Sequence, residues 1–191
     1  MSTRAWRIAL PLLVLALVVL AWGGIVRALA IPPYVLPSPC QVLGTLIADR
    51  GLLWHSLLVT LATTFEGFVL AAIGGIALAV LFSLSRVIEY SFYPYAVILQ
   101  VTPVVAIAPL LLIYLPQPLA VLACAWIVAF FPVLANTMLG LSSVDHNLIA
   151  LFELYKASRW QTLWRLKLPS ALPQMLAGLR IAGGLSLIGA V

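Results

Sequence analysis

Between Tyr90 and Val144 the chain runs for 55 residues without a single Asp, Glu, Lys or Arg. One membrane-spanning helix needs about 20 apolar residues, so this stretch crosses a bilayer more than once. The rest of the chain agrees: 8% of residues are charged and mean hydropathy is +1.19, against about 25% charged in soluble domains. A net charge of +5 would suggest nucleic acid in a soluble protein. Here the basic residues sit between apolar runs and read as topology signals, so no nucleic-acid partner is expected.

Five spans are expected. The first runs from Ile8 to about Leu29, within a domain of residues 1–30. Ala28-Leu29-Ala30 imitates a signal-peptidase site, but the apolar run exceeds the usual secretory core, which points to a retained helix. Residues 31–55 form a Pro-rich extracytoplasmic loop, in which Val42, Leu43, Leu46 and Ile47 give Cys40–Leu53 the spacing of an interfacial amphipathic helix. Span two covers about Leu57–Leu84, with Gly67, Gly74 and Gly75 allowing close helix approach. Span three, Tyr93–Leu115, is interrupted by Pro103 and Pro109. A tight turn at Pro116-Gln117-Pro118 leads to span four, Leu119–Leu141, and a fifth span starts near Leu172. Arg4, Arg7, Arg86, Lys156, Arg159, Arg165 and Lys167 then share one side, which the distribution of positive charge makes the cytoplasm, with the N-terminus. Arg27 and Arg50 fall on the other.

Four of the ten Lys and Arg residues lie between Lys156 and Lys167. Asp145 is placed to cap a helix start, and Leu148, Leu151, Phe152 and Tyr155 form an apolar stripe behind it. Ser158 with Gln161 three residues on matches the reciprocal capping box. Two short helices meeting near Ala157 are expected, the second carrying Trp160, Leu163 and Trp164 along one side and ending at Leu168-Pro169. From composition alone, a basic helix with two tryptophans fits an interfacial anchor as well as a partner-binding helix.

Little else suggests chemistry. Neither His55 nor His146 has metal-ligand spacing, Cys40 and Cys124 occupy different settings without a CxxC, and no catalytic triad or carboxylate pair is apparent. No GxxxxGK[ST] occurs, so ATP would have to be bound by a partner and no cofactor is expected in this chain. Glu66 and Arg180 are the ionisable residues inside spans. Glu66 reads either as a pathway residue or as a buried hydrogen-bonded group, while Arg180 is within reach of the membrane surface. Gln100, Thr102, Asn136 and Thr137 are polar in apolar runs, where interhelical hydrogen bonding is the simpler reading.

The stretch "ASRWQTLWRLKLPSALPQMLAGLRIA" resembles the signature loop of permease subunits of bacterial ATP-binding-cassette importers, in the nitrate, sulfonate, taurine and pyrimidine-precursor branch. "PSPCQVLGTL", "GLLWHSLLVTLATTFEGFVLA", "QVTPVVAIAPLLL" and "FFPVLANTMLGLSSVD" resemble that branch in the same order, over residues 37 to 190. The resemblance implies an all-α, polytopic type I importer permease core over residues 56–191, with five spans present of six, and a cytoplasmic coupling loop at 142–170. It implies two ATPase subunits, an extracytoplasmic solute-binding protein, a second permease copy and the lipid of the bacterial inner membrane as partners. In the coupling loop it points to Leu151, Phe152, Tyr155, Lys156, Ala157, Ser158, Arg159, Trp160 and Trp164. Candidates for the translocation path are Glu66, Gln100, Thr102, Pro103, Asn136 and Thr137.

The chain departs from the motif where Ala150, Leu151 and Phe152 replace Glu-Ala-Ala and where Lys156 replaces a glycine. Either Lys156 adopts the glycine's backbone geometry or the junction is built differently. Thr63 replaces a common Arg, which disfavours an anionic solute. A secondary transporter would need ion-coupling residues near midplane, and buried acids are scarce. A non-transporting scaffold would leave the long matched pattern unexplained.

Overall fold

The computed structural model describes residues 3–191, without the side chains of residues 3–5 and 8, so those of Arg4 and Ile8 lie outside the described residues. All regular structure among the described residues is helical. Helices α1 (Thr3–Ala28) and α2 (Pro39–Ala48) belong to one compact unit reaching Leu57, and the remainder forms a second. In the first unit, Ser38 caps α2 through a reciprocal pair: Gln41 N–H donates to Ser38 Oγ at 3.4 Å, and Ser38 N–H to Gln41 Oε1 at 2.9 Å. The expected Cys40–Leu53 helix stops at Ala48, and α3 (Arg50–Leu84) starts directly afterwards, seven residues before the expected start of span two. At 35 residues α3 is about 52 Å long, well beyond the ~30 Å of hydrocarbon it must cross.

The second unit is held together by close approach of helix backbones. A β-carbon added at Gly67 would lie 2.8 Å from Ala125 Cβ, and one at Gly75 would lie 2.9 Å from Val133 Cβ. Contacts that advance together in both segments mean that α3 runs parallel to α6 (Gln117–Ser142). The final helix α9 (Leu168–Gly189) runs the other way along α6, since Gly140 abuts Ala171, Gly178 abuts Asn136 and Gly189 abuts Ala125. Ser186 Oγ donates to Thr64 O at 2.7 Å, tying α9 to α3. Ala71, Ala129, Val133 and Ala182 fill one buried cluster at this three-helix seam. Small residues are what such a seam requires, because in lipid packing must be won by backbone proximity.

Parallel α3 and α6 fix what lies between them. The chain must return from the end of α3 to the start of α6, and it does so through α4 (Arg86–Val101) and α5 (Val104–Tyr114), bent by 98° at Thr102-Pro103. Span three is therefore a broken crossing. Only one of the two expected interruptions breaks it: Pro109 sits inside α5, as Pro94 sits inside α4. Pro116 is the N-cap of α6 and starts the next helix from an extended Leu115, in place of a tight turn. Four helices are long and apolar enough to span, or five with the bent pair counted as one.

A second correction concerns Leu168-Pro169. The helix started at Arg159 does not end there but passes from α8 (Arg159–Thr162) through a π-helical turn (Leu163–Lys167) into α9, giving one 31-residue helix from Arg159 to Gly189. Leu168 N–H donates to Leu163 O, five residues back. The widened turn changes the hydrogen-bond register just ahead of Pro169, where the missing N–H and the ring would otherwise disrupt an α-helical turn.

Candidate functional site

Two regions of the second unit collect the residues singled out by sequence. The first is the segment from Asp145 to Lys167. The Asp145 carboxylate accepts from Asn147 N–H at 2.9 Å and starts α7 (His146–Leu154). The helix ends in a paired closure: Ala157 N–H donates to Phe152 O and Lys156 N–H to Glu153 O, both at 2.9 Å. This is the Schellman arrangement, which places its penultimate residue in left-handed backbone. Lys156 is that residue, with φ of 55°. It thus adopts the left-handed backbone that ordinarily favours glycine. Immediately afterwards Ser158 N–H donates to Gln161 Oε1 at 2.8 Å and Gln161 N–H to Ser158 Oγ at 3.2 Å, so the expected capping box is formed. Two caps back to back fix the turn between α7 and α8.

Burial divides this segment. Leu163 is 1% exposed and packs with Phe82, Leu134, Leu141 and Ala171, whereas Trp160 and Trp164 are 58% and 65% exposed. The sequence reading put Leu163 and the tryptophans on one side; the structure turns Leu163 inward as the peg that holds the segment to the bundle. None of α7 is buried: Leu148 and Leu151 are exposed, Phe152 and Ile149 half-buried, and Tyr155, at the C-cap, is 79% exposed. Ala157 is half-buried, and Lys156, Ser158 and Arg159 are exposed. Polar contacts complete the attachment. Arg159 Nη1 donates to Leu84 O at 3.3 Å, and Lys167 Nζ to Ser83 Oγ at 3.4 Å. Leu84 ends α3, where the last carbonyls lack helical donors and the helix dipole favours a cation.

The second region is a cavity of about 220 Å³ at the α4–α5 break, lined by residues that include Gln100, Thr102, Val128, Phe131, Pro132 and Leu185. Its walls carry no charged side chain. Pro103 has no N–H to offer Leu99 O, and Pro132 none for Val128 O, so two residues of the wall have carbonyls that lack a helical donor. Backbone of this kind persists at membrane depth only inside protein or beside water. Pro132 was missed in sequence, although a proline inside "FFPVLAN" was the available signal.

Thr102, in the cavity wall with Gln100, donates from Oγ1 to Ile98 O at 2.6 Å. The other path candidates lie elsewhere: Pro103 is exposed at the start of α5, outside the cavity wall. Asn136 Nδ2 donates to Pro132 O at 2.8 Å and packs at the α6–α9 seam against Gly178. Thr137 is fully buried in α6 with its hydroxyl unpartnered. Glu66 is exposed midway along α3, so within this chain it is not the buried hydrogen-bonded group that sequence left open. Arg180 is exposed on α9.

Residues 67–191 match the family described as "Binding-protein-dependent transport system inner membrane component". The chain is 34% identical to the formylaminopyrimidine transport permease protein ThiX of Halalkalibacterium halodurans, over 98% of this chain and 75% of the relative. It is 34% identical to the riboflavin transport system permease protein RibX of Chloroflexus aurantiacus, over 96% of this chain and 69% of the relative. With the taurine transport system permease protein TauC of Escherichia coli the identity is 28%, over 93% and 68% respectively. A multi-pass helical bundle with a doubly capped segment at one end, together with these matches over nearly the whole chain, places this protein in the family of inner-membrane permease subunits of binding-protein-dependent ATP-binding-cassette importers.

Proposed function

We propose that residues 145–167 are the dock for an ATPase subunit, and that α9 carries the motion of that dock to the solute path. The observation that carries this reading is the continuous helix from Arg159 to Gly189: Trp160 stands near one end, and Leu185, close to the other, forms part of the cavity wall at the α4–α5 break. The intervening 25 residues span about 38 Å, longer than the hydrocarbon layer. A partner that displaces Trp160 therefore moves one end of a helix whose other end forms a wall of the cavity. The two caps favour a dock over a lipid anchor, because they fix the α7–α8 angle, which an anchor has no need to define.

In this reading Leu151, Tyr155, Trp160 and Trp164 enter a groove on the ATPase, and ATP is bound there and not by this chain. Two permease copies and two ATPases make the working unit, with an extracytoplasmic binding protein delivering solute. The N-terminus and the 142–170 loop face the cytoplasm, and residues 56–191 form the translocating core. Labelling of Cys40 by an impermeant maleimide on intact cells supports this orientation, and labelling only after lysis refutes it. Glu66, an ionisable residue at an exposed mid-span position, belongs against the second copy or a watered path, since an ionised side chain facing hydrocarbon would cost several kcal/mol.

The solute we infer is small and uncharged, with hydrogen-bonding groups for Gln100, Thr102 and the two freed carbonyls. This agrees with the names of the formylaminopyrimidine and riboflavin relatives better than with those of the nitrate and bicarbonate ones. The test is co-purification with the ATPase: Tyr155→Ala and Trp160→Ala should each lose the ATPase and solute-stimulated hydrolysis while inserting normally, since truncating such an anchor costs about 2 kcal/mol or more. Normal assembly and hydrolysis in both variants would refute the dock.

A further inference from the structure

The end of the bundle where α3 closes contains two adjoining cavities between α3, α4 and the inner side of the docking segment, away from the outward-facing Tyr155, Trp160 and Trp164. One, of about 640 Å³, is lined by Ser83, Arg86, Glu89, Tyr90, Tyr93 and Lys167 among others. The other, of about 620 Å³, is lined by Arg86, Glu153, Arg159 and Lys167, and shares Ser83, Arg86, Ile149 and Lys167 with the first. Three cations and two carboxylates thus surround one divided hollow. Two of the three positive groups are held in place: the hydrogen bond of Arg159 goes to Leu84 O and that of Lys167 to Ser83 Oγ, so neither is spent on Glu89 or Glu153. Arg86 opens α4 two residues after the apolar α3 ends, and Lys167 stands just before α9. Both therefore sit at the level where spanning helices leave the hydrocarbon, which is the depth of lipid phosphates.

We infer that this hollow binds a phosphate group, with Arg86 and Lys167 as its principal ligands and the hydroxyls of Ser83 and Tyr90 completing the contacts. A guanidinium and an ammonium converging on one anion give charge-assisted hydrogen bonds, which are about twice as strong as neutral ones. Basic hollows between membrane helices suit anionic headgroups in the same way. The tyrosine rings beside the cations would cover the glycerol part of a phospholipid, and a free phosphate would satisfy the cations alone. The bound group would bridge the α3–α4 connection to the Lys167 end of the docking segment, adding to the Leu163 packing and the single hydrogen bonds already there.

The test uses the full chain in neutral detergent, titrated with phosphatidylglycerol or phosphatidylcholine and read by native mass spectrometry. Wild type should bind one phosphatidylglycerol in clear preference to phosphatidylcholine. Arg86→Gln and Lys167→Gln should each weaken that binding about fivefold, and Arg86→Lys should restore most of it. An Arg27→Gln/Arg50→Gln control, which removes two positive charges outside the hollow against one in each test variant, should bind as wild type. Inorganic phosphate at millimolar concentration distinguishes the sources: displacement of the lipid identifies a site that also takes free phosphate, and resistance identifies a headgroup site. Thermal unfolding without lipid verifies that each variant is folded, and exposed Arg86 carries the test alone if Lys167→Gln is not. Equal phosphatidylglycerol binding by wild type and Arg86→Gln, or equal loss in the Arg27/Arg50 control, overturns the inference.

Discussion

The guanidinium of Arg159 donates to the carbonyl of Leu84 at 3.3 Å, joining residues 75 positions apart. It supplies a donor to the end of α3 and a positive charge to the negative end of its dipole. Because Arg159 is exposed, its contribution is small, about 0.5–1.5 kcal/mol. Arg159→Ala should therefore leave the chain folded, but speed amide exchange in α8 relative to α6. Unchanged exchange at residues 159–162 would show that the packing of Leu163 and the Lys167–Ser83 contact hold the segment without Arg159.

Lys156 is a non-glycine residue in left-handed backbone, and the Schellman closure around it leaves no alternative conformation. Lys156→Gly should raise stability by about 1 kcal/mol, seen as a higher unfolding temperature in detergent. Lys156→Val should lower it, because a β-branched side chain tolerates positive φ poorly. The two changes moving stability in the same direction would contradict this account of the junction.

Gly67 faces α6 so closely that an added methyl would lie 2.8 Å from Ala125 Cβ, whereas nothing lies within 4 Å of the corresponding position at Gly184. Overpacking of this kind costs about 1–3 kcal/mol. Gly67→Ala should lower the yield of folded protein and the unfolding temperature, with Gly184→Ala close to wild type in both. Equal behaviour of the two would mean that the α3–α6 seam is looser than its backbone approach implies.

The cavity at the helix break gives a chemical test of the path. In a chain lacking Cys40 and Cys124, Gln100→Cys should react with a small polar thiol reagent, and the transported solute should slow that reaction. The corresponding Thr137→Cys, fully buried in α6, should stay inert. Inertness at position 100 in every nucleotide state would remove the cavity from the path.

Membrane class, helix count and the caps at Asp145 and Ser158 were legible because each is written in local residues: apolar runs of spanning length, or a short polar side chain ahead of a helix. What was hidden depended on neighbours. Pro169 reads as a terminator, yet the π turn before it changes the hydrogen-bond register and the helix continues to Gly189. Pro103 and Pro109 look equivalent in sequence, and only Pro103, following the extended Thr102, marks the bend. Leu163 lies within four residues of both exposed tryptophans, and only the packing of Phe82 and Leu141 against it shows that it points inward. The scatter of the path candidates has the same origin, since Asn136 finds its acceptor in its own helix at Pro132.

The central claim is that the outward tryptophan of α8 meets an ATPase and not lipid. A photo-crosslinking amino acid placed at Trp160 in the assembled transporter tests it most directly, with the lipid-length helix position Leu15 as the control. The account predicts a crosslink from position 160 to the ATPase subunit, with none from position 15. A crosslink from position 160 to lipid alone, while the transporter remains assembled and active, would contradict it.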